Sequence, residues 1–196
     1  MNALAVQPPQ PLSPPSAWVR RWCHLIPAGS AVLDVACGSG RHLYALHAQG
    51  HPVTGVDRSA EAVENTRPLA EAGARIVQAD IENGPWPLPG ERFGGVVVTN
   101  YLWRPLLPTL VDSIAEGGVL IYETFAAGNQ TVGKPSRPDF LLAPGELLRA
   151  CAALRVVAYE DGFLDQPARF VQRIAAVREP RPAPDQPLRH ALMGAG

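Results

Sequence analysis

Residues 32–57, VLDVACGSGRHLYALHAQGHPVTGVD, decide how this chain folds. Residues 31–36 (AVLDVA) are a short apolar run of the kind that forms a buried strand. Gly38 and Gly40 supply a tight turn, because glycine adopts backbone angles that other residues avoid and lets a ligand approach the main chain. Residues 41–49 read as a helix stopped by Gly50, and residues 52–57 (PVTGVD) as a second strand. This order predicts a parallel βαβ unit with a right-handed crossover. The helix start aims unpaired N–H groups at the turn and carries roughly half a positive charge. That favours an anion there by about 0.3–1 kcal/mol.

The alternation continues outward. Residues 59–73 predict a helical stretch broken near Arg67, because Pro68 removes a hydrogen bond and clashes with the preceding turn. Residues 75–80, 96–100 and 119–124 predict further strands. Between the last two, a helix starts near Pro105 or Pro108 and ends at Gly117 and Gly118. A helix over residues 145–153 and closing strands at 155–160 and 170–178 follow, the strands separated by a loop holding Gly162 and Pro167. Strands so close in sequence pair antiparallel. Branched, non-alternating strands predict a sheet buried on both faces. Upstream, Ser16 caps a helix with Trp18, Trp22, Leu25 and Ile26 on one face and Arg20, Arg21 and His24 on the other. Its tryptophans either pack it on the core or place it over the substrate end of a site.

A length of 196 residues predicts one domain with short additions. Prolines 8, 9, 11, 14 and 15 mark residues 1–15 as an extended, flexible arm, and prolines 182, 184 and 187 mark residues 180–196 as a similar tail. The domain proper is then 16–179. Cys23, Cys37 and Cys151 are far apart and form no cluster with histidine, so neither a metal site nor a disulfide framework is expected. Sparse cysteines fit a reducing, cytoplasmic setting. The formal charge is -1, from 17 Lys and Arg against 18 Asp and Glu. A dedicated binder of duplex nucleic acid carries a basic surplus, so no nucleic-acid partner is expected. No apolar run reaches the ~18–20 residues that span a bilayer, so no membrane partner is expected either.

Ligands of open parallel sheets bind beyond the carboxyl ends of the strands. Those ends carry Asp34 through Arg41, then Asp57 and Arg58, Asp80 and Ile81, Asn100 to Leu102, and Glu123 with Thr124. A dinucleotide fingerprint would need glycine at position 43, which is leucine. An ionised Asp57 only accepts hydrogen bonds and so suits two ribose hydroxyls, or it opens the helix at Ser59. Asp80 accepts an adenine amino group, or it belongs to the turn made by Asn83, Gly84 and Pro85. Cys37 reads as a small residue at the turn and not as a nucleophile, since no base accompanies it.

The run DVACGSGRH, followed by VTGVDRS and later by QAD, resembles the class I S-adenosylmethionine (SAM)-dependent methyltransferases over roughly residues 30–178. Its DxxCGxGR…GVDxS form is similar to the small tellurite-resistance and thiopurine-type branch. The resemblance implies an α/β fold, a Rossmann-like, doubly wound sheet of seven strands, mostly parallel with the last antiparallel. It implies SAM as cofactor, with Asp34, Ala36, Cys37, Gly38, Gly40 and Arg41 around its methionine part. Asp57 and Arg58 would lie at the ribose, Asp80 and Ile81 at the adenine, and Asn100 and Leu102 over the cofactor.

Candidates for holding the methyl acceptor are Tyr101, Trp103, Arg104 and Glu123, just beyond the fourth and fifth strands. Trp103 and Arg104 read equally as a packed ring and a solvated cation. The long connection from Phe125 to Ala143 adds Asn129, Lys134 and Arg137, which either draw in an anionic substrate or belong to a packed surface loop. The expected activity is methyl transfer to a small-molecule nucleophile by a monomer or homodimer. A non-catalytic SAM-binding protein, a macromolecular acceptor and a nucleotide-dependent oxidoreductase are the alternatives.

Overall fold

The computed structural model describes residues 6–180 and 186–192. Residues 1–5 of the expected arm, and 181–185 and 193–196 of the expected tail, lie outside the described residues. The strands are β1 (Val32–Val35), β2 (Val53–Asp57), β3 (Arg75–Gln78), β4 (Phe93–Thr99), β5 (Ile114–Phe125), β6 (Arg155–Asp165) and β7 (Ala168–Val177). They form one seven-stranded sheet in the order β3-β2-β1-β4-β5-β7-β6. β7 runs antiparallel to both neighbours, and the other pairings are parallel. The chain leaves β1 toward β2 on one side and later returns to place β4 on the other. The switch point therefore lies beyond the ends of β1 and β4, where such sheets bind ligands.

Both faces of the sheet are covered, as its unbroken apolar strands require. Val96 and Val98 join Leu33, Val35, Leu120 and Ile174 in one core, roofed by α5 (Leu107–Asp112) and α6 (Glu146–Ala150). Val97 joins Val32, Ile121 and Ala175 in the other, under α1 (Ala17–Trp22), α2 (Arg41–Ala48) and α4 (Arg67–Glu71). Ser16 accepts hydrogen bonds from the Trp18 and Val19 N–H groups, and both tryptophans of α1 are 1% exposed. Trp18 Nε1 donates to the Ile174 carbonyl at 3.1 Å, which ties the first helix to the last strand. The predicted break at Pro68 is present: α3 (Ala60–Asn65) and α4 are separated at Thr66.

Leu43 is fully buried on α2. A Cβ on Gly55 would come within 2.6 Å of its Cδ1. The small residue that lets helix and strand approach thus sits on β2, opposite the leucine, instead of on the helix.

Two boundaries differ from expectation. The helix before β5 ends at Asp112, not at Gly117, because Phe93 pairs with Ile114 and draws that residue into the ladder. The Phe93 N–H donates to the Ser113 carbonyl at 2.8 Å. Between β6 and β7 the expected loop shrinks to Gln166 and Pro167, and Gly162 lies inside β6, paired with Val171. Facing rings extend the ladder, since Phe163 and Phe170 meet with centroids 4.9 Å apart.

Candidate active site

Two adjoining cavities open along the carboxyl rim. One, of about 380 Å³, runs past Asp57, Asp80 and Ile81 to Tyr101, Phe125 and Phe140. The other, of about 410 Å³, lies over Gly38, Ser39, Arg41 and His42. Ala36 and Asn100 line both cavities. They follow the adjacent strands β1 and β4, and both hold left-handed backbone angles, with φ 54° and 55°. That conformation costs a non-glycine residue roughly 1–3 kcal/mol and concentrates at functional sites.

The glycines of the turn have separate tasks. At Gly40 (φ 80°) a Cβ would stand 2.6 Å from Thr66 Cγ2, so the residue seats α2 against the α3–α4 break. At Gly38 (φ 53°) a Cβ would meet nothing within 4 Å. Its N–H donates to Asp57 Oδ2 at 2.8 Å, and the Ser59 N–H donates to Oδ1 at 2.9 Å. Each carboxylate oxygen keeps acceptor capacity, so Asp57 anchors the turn and can still receive donors from the cavity. No side chain caps the start of α2.

Asp34 is 1% exposed, and its Oδ2 lacks a hydrogen bond, with His42 Nδ1 3.6 Å away. Burial, with Asp34 and Asp57 nearby, pushes the Cys37 thiol far up and leaves it no nucleophile. Arg41 reaches the Pro14 carbonyl and Thr99 Oγ1, each at 3.4 Å. Asp80 realises the turn reading: it accepts from the Asn83 side chain and from the Glu82 and Asn83 N–H groups. These bonds, the Asn83 amide first, hold its carboxyl below the usual range, yet it also lines the cavity. Arg58 and Leu102 line the same wall.

Of the acceptor candidates, Tyr101 stands on the cavity wall. Burial first, then the Glu82 carboxylate, raise its phenol pKa well above the ordinary value. The hydroxyl faces that carboxylate outside regular hydrogen-bond geometry. Trp103 packs on the core. Arg104 grips Glu146 at 2.7 and 3.0 Å and the carbonyls of Asp139 and Leu141 at 2.8 Å, which pins the long loop. Glu123 is buried between Ser16, Arg169 and Arg173. Asn129, also buried, donates to the Pro135 carbonyl and accepts from the Phe170 N–H. Arg137 pairs with Asp139 and lies over the Phe140 ring, and Lys134 is exposed. The cavity instead draws on Glu82, Thr124, Phe125, Pro135 and Phe140, and the second cavity on Pro11, Leu12 and Ser13. Thr124 was legible as a strand end and the length of the 125–143 connection hinted at Phe125, Pro135 and Phe140, but nothing local marked Glu82 or the second set.

A family model described as a methyltransferase domain matches residues 32–117, from β1 into β5. Residues 32–117 thus carry a methyltransferase domain. Among solved structures, this methyltransferase fold is similar to TehB from Haemophilus influenzae, with 21% identity over 80% of this chain and 60% of that one and a TM-score of 0.64. The chain thus spans less than two thirds of TehB. A TehB-like SAM-dependent methyltransferase from Corynebacterium glutamicum aligns at 20% identity over 78% of this chain and 82% of that one, with a TM-score of 0.57. The glycopeptide N-methyltransferase MtfA, solved with sinefungin, aligns at 21% identity over 81% and 90%, with a TM-score of 0.55. A comparison with curated proteins gave no match. Among the described residues no helix is long and apolar enough to cross a membrane.

Proposed function

We propose that the methyltransferase moves a methyl group from SAM to a small-molecule nucleophile, with the cofactor lying along both cavities. The observation that carries this reading is their shared wall, Ala36 and Asn100, held in left-handed conformations at the switch point. The residues fit the group. The open face of Gly38 is space that a Cβ would fill, and the uncapped start of α2 suits an amino-acid carboxylate. Asp57 has acceptor capacity left for ribose hydroxyls, and Ala79, Asp80 and Ile81 form a wall for the adenine.

When bound, SAM supplies a methyl carbon on a good leaving group. The chain's task is to orient the acceptor, which can be worth ~7–11 kcal/mol in favourable systems. Tyr101, Thr124, Phe125, Pro135 and Phe140 remain as the acceptor end, a mostly apolar surface. With its pKa raised, Tyr101 stays protonated at neutral pH and is not the base. The acceptor therefore attacks with a lone pair of its own. The free thiols of Cys23, Cys37 and Cys151 fit a reducing, cytoplasmic setting. A larger acceptor is the second reading, favoured by Phe140, which lines the cavity yet is 40% exposed.

Calorimetry with SAM and its demethylated product is expected to give micromolar dissociation constants, about -8 kcal/mol. No heat at millimolar cofactor would sink the reading. Transfer of labelled methyl to small nucleophiles is expected. Binding without turnover across a broad panel would make the chain a SAM-binding protein without catalysis.

A further inference from the structure

The segment before α1 meets the cofactor crevice. Pro11, Leu12 and Ser13 line the cavity over the glycine turn, opposite Gly38 and Arg41. Leu12 packs against the core cluster of α1 and α2, and Arg41 donates to the Pro14 carbonyl. The firmest hold is at Ser16. Its N–H donates to His42 Nε2 at 3.2 Å, and its hydroxyl donates to Glu123 Oε1 at 3.0 Å. Ser16, His42 and Glu123 are all buried. His42 belongs to the first turn of α2, and Glu123 lies near the end of β5. One serine thus links the glycine turn to the far side of the rim. Helix capping alone does not call for the link to Glu123, because the same hydroxyl oxygen already receives the Trp18 and Val19 N–H groups.

We propose that Ser16 is a positioning residue for the cofactor: clasped by His42 and Glu123, it seats residues 11–13 as a roof over the methionine end of the crevice. This rests on the reading that SAM occupies that crevice. Pro11 in the roof, with Pro14 and Pro15 behind it, lowers the entropy lost when it is seated. A charged acceptor such as Glu123 makes the hydroxyl contact stronger than a neutral one.

Ser16→Gly separates the two duties of the residue, because glycine caps a helix almost as well as serine but cannot reach Glu123. In the full-length protein it is expected to weaken SAM binding about tenfold, the scale of one charge-assisted hydrogen bond. The loss should appear as faster cofactor release and a higher KM for SAM, with kcat at saturating SAM nearly unchanged and the melting midpoint lowered only by the scale of one hydrogen bond. Ser16→Thr should restore binding. Leu12→Ser, which spares the cap and Glu123, should weaken SAM in the same direction, so the test does not depend on one variant folding. If Ser16→Gly and Leu12→Ser bind and release SAM as the parent does, the positioning role is overturned while the cofactor reading stands. A failure of Ser16→Thr to rescue overturns it too. A parent protein that does not bind SAM removes both.

Discussion

At the ends of β1 and β2 the rim presents backbone and carboxylates: the Gly38 turn, Asp57 and, a strand further on, Asp80. Around the end of β5 and under the long loop it presents Phe125, Pro135 and Phe140, while the charges nearby are spent on one another. Arg104 holds Glu146, Arg169 and Arg173 hold Glu123, and Arg137 holds Asp139. The two sides face different demands. A cofactor of fixed shape needs particular polar atoms at particular strand ends. Of the paired ions, Glu123 is buried, where a charge without a partner is costly, whereas the Arg137–Asp139 pair of the loop is exposed.

Asp57→Ala strikes the first side hardest. It removes the acceptor proposed for the ribose and the partner of the Gly38 N–H, so SAM affinity should fall about 100-fold, roughly 2–3 kcal/mol. Unchanged affinity in calorimetry would reduce Asp57 to a turn anchor. Next come the glycines, which should fail differently. Gly40→Ala meets Thr66 and a left-handed φ, and should lose about 2–3 kcal/mol of stability. Gly38→Ala should cost only about 1 kcal/mol in denaturant titration, yet weaken SAM by filling its open face. Equal stability losses would erase the distinction between them.

Arg104→Ala probes the second side. It should lower stability by about 1–2 kcal/mol, near 3–6 °C in melting, and leave SAM affinity alone. A matching loss of affinity would mean that the loop also shapes the cofactor half. The smallest effect concerns pH. Asp80's folded pKa is depressed, so its stabilising contribution is present above the ordinary carboxylate range and is lost as pH falls through the folded pKa. Asn83→Ala should move that titration upward in carbon-detected NMR, and a fixed midpoint would assign the depression to the backbone N–H groups alone.

The same contrast explains what was legible. The βαβ unit, the break at Pro68 and the strand-end acids follow from short-range rules, and the structure carries the first two and brings Asp57 and Asp80 to one crevice. The packing of Leu43 was half legible. Its size argued against a glycine-based helix contact, but the compensating Gly55 is visible only once helix and strand face each other. The fates of Arg104, Glu123 and Asn129 depend on partners distant in sequence, such as Glu146 and Phe170, so no local pattern fixes them. Ala36 entered the candidate site through the family resemblance alone, since nothing in an alanine announces a left-handed backbone. The arm read as an appendage because proline spacing speaks of extension and not of what the extended segment touches.

The contact between Trp18 and Ile174 bears on synthesis. The indole N–H finds its acceptor on β7, and Arg173 of the same strand lies 4.8 Å from the indole ring centre. Helix α1 therefore leaves the ribosome before the strand that accepts its indole N–H has been made. A nascent chain stalled before Ala168 would lack Arg169 and Arg173 beside Glu123, leaving Ser16 as the contact described for that acid. That helix completes its hydrogen bonding only once β7 has been added.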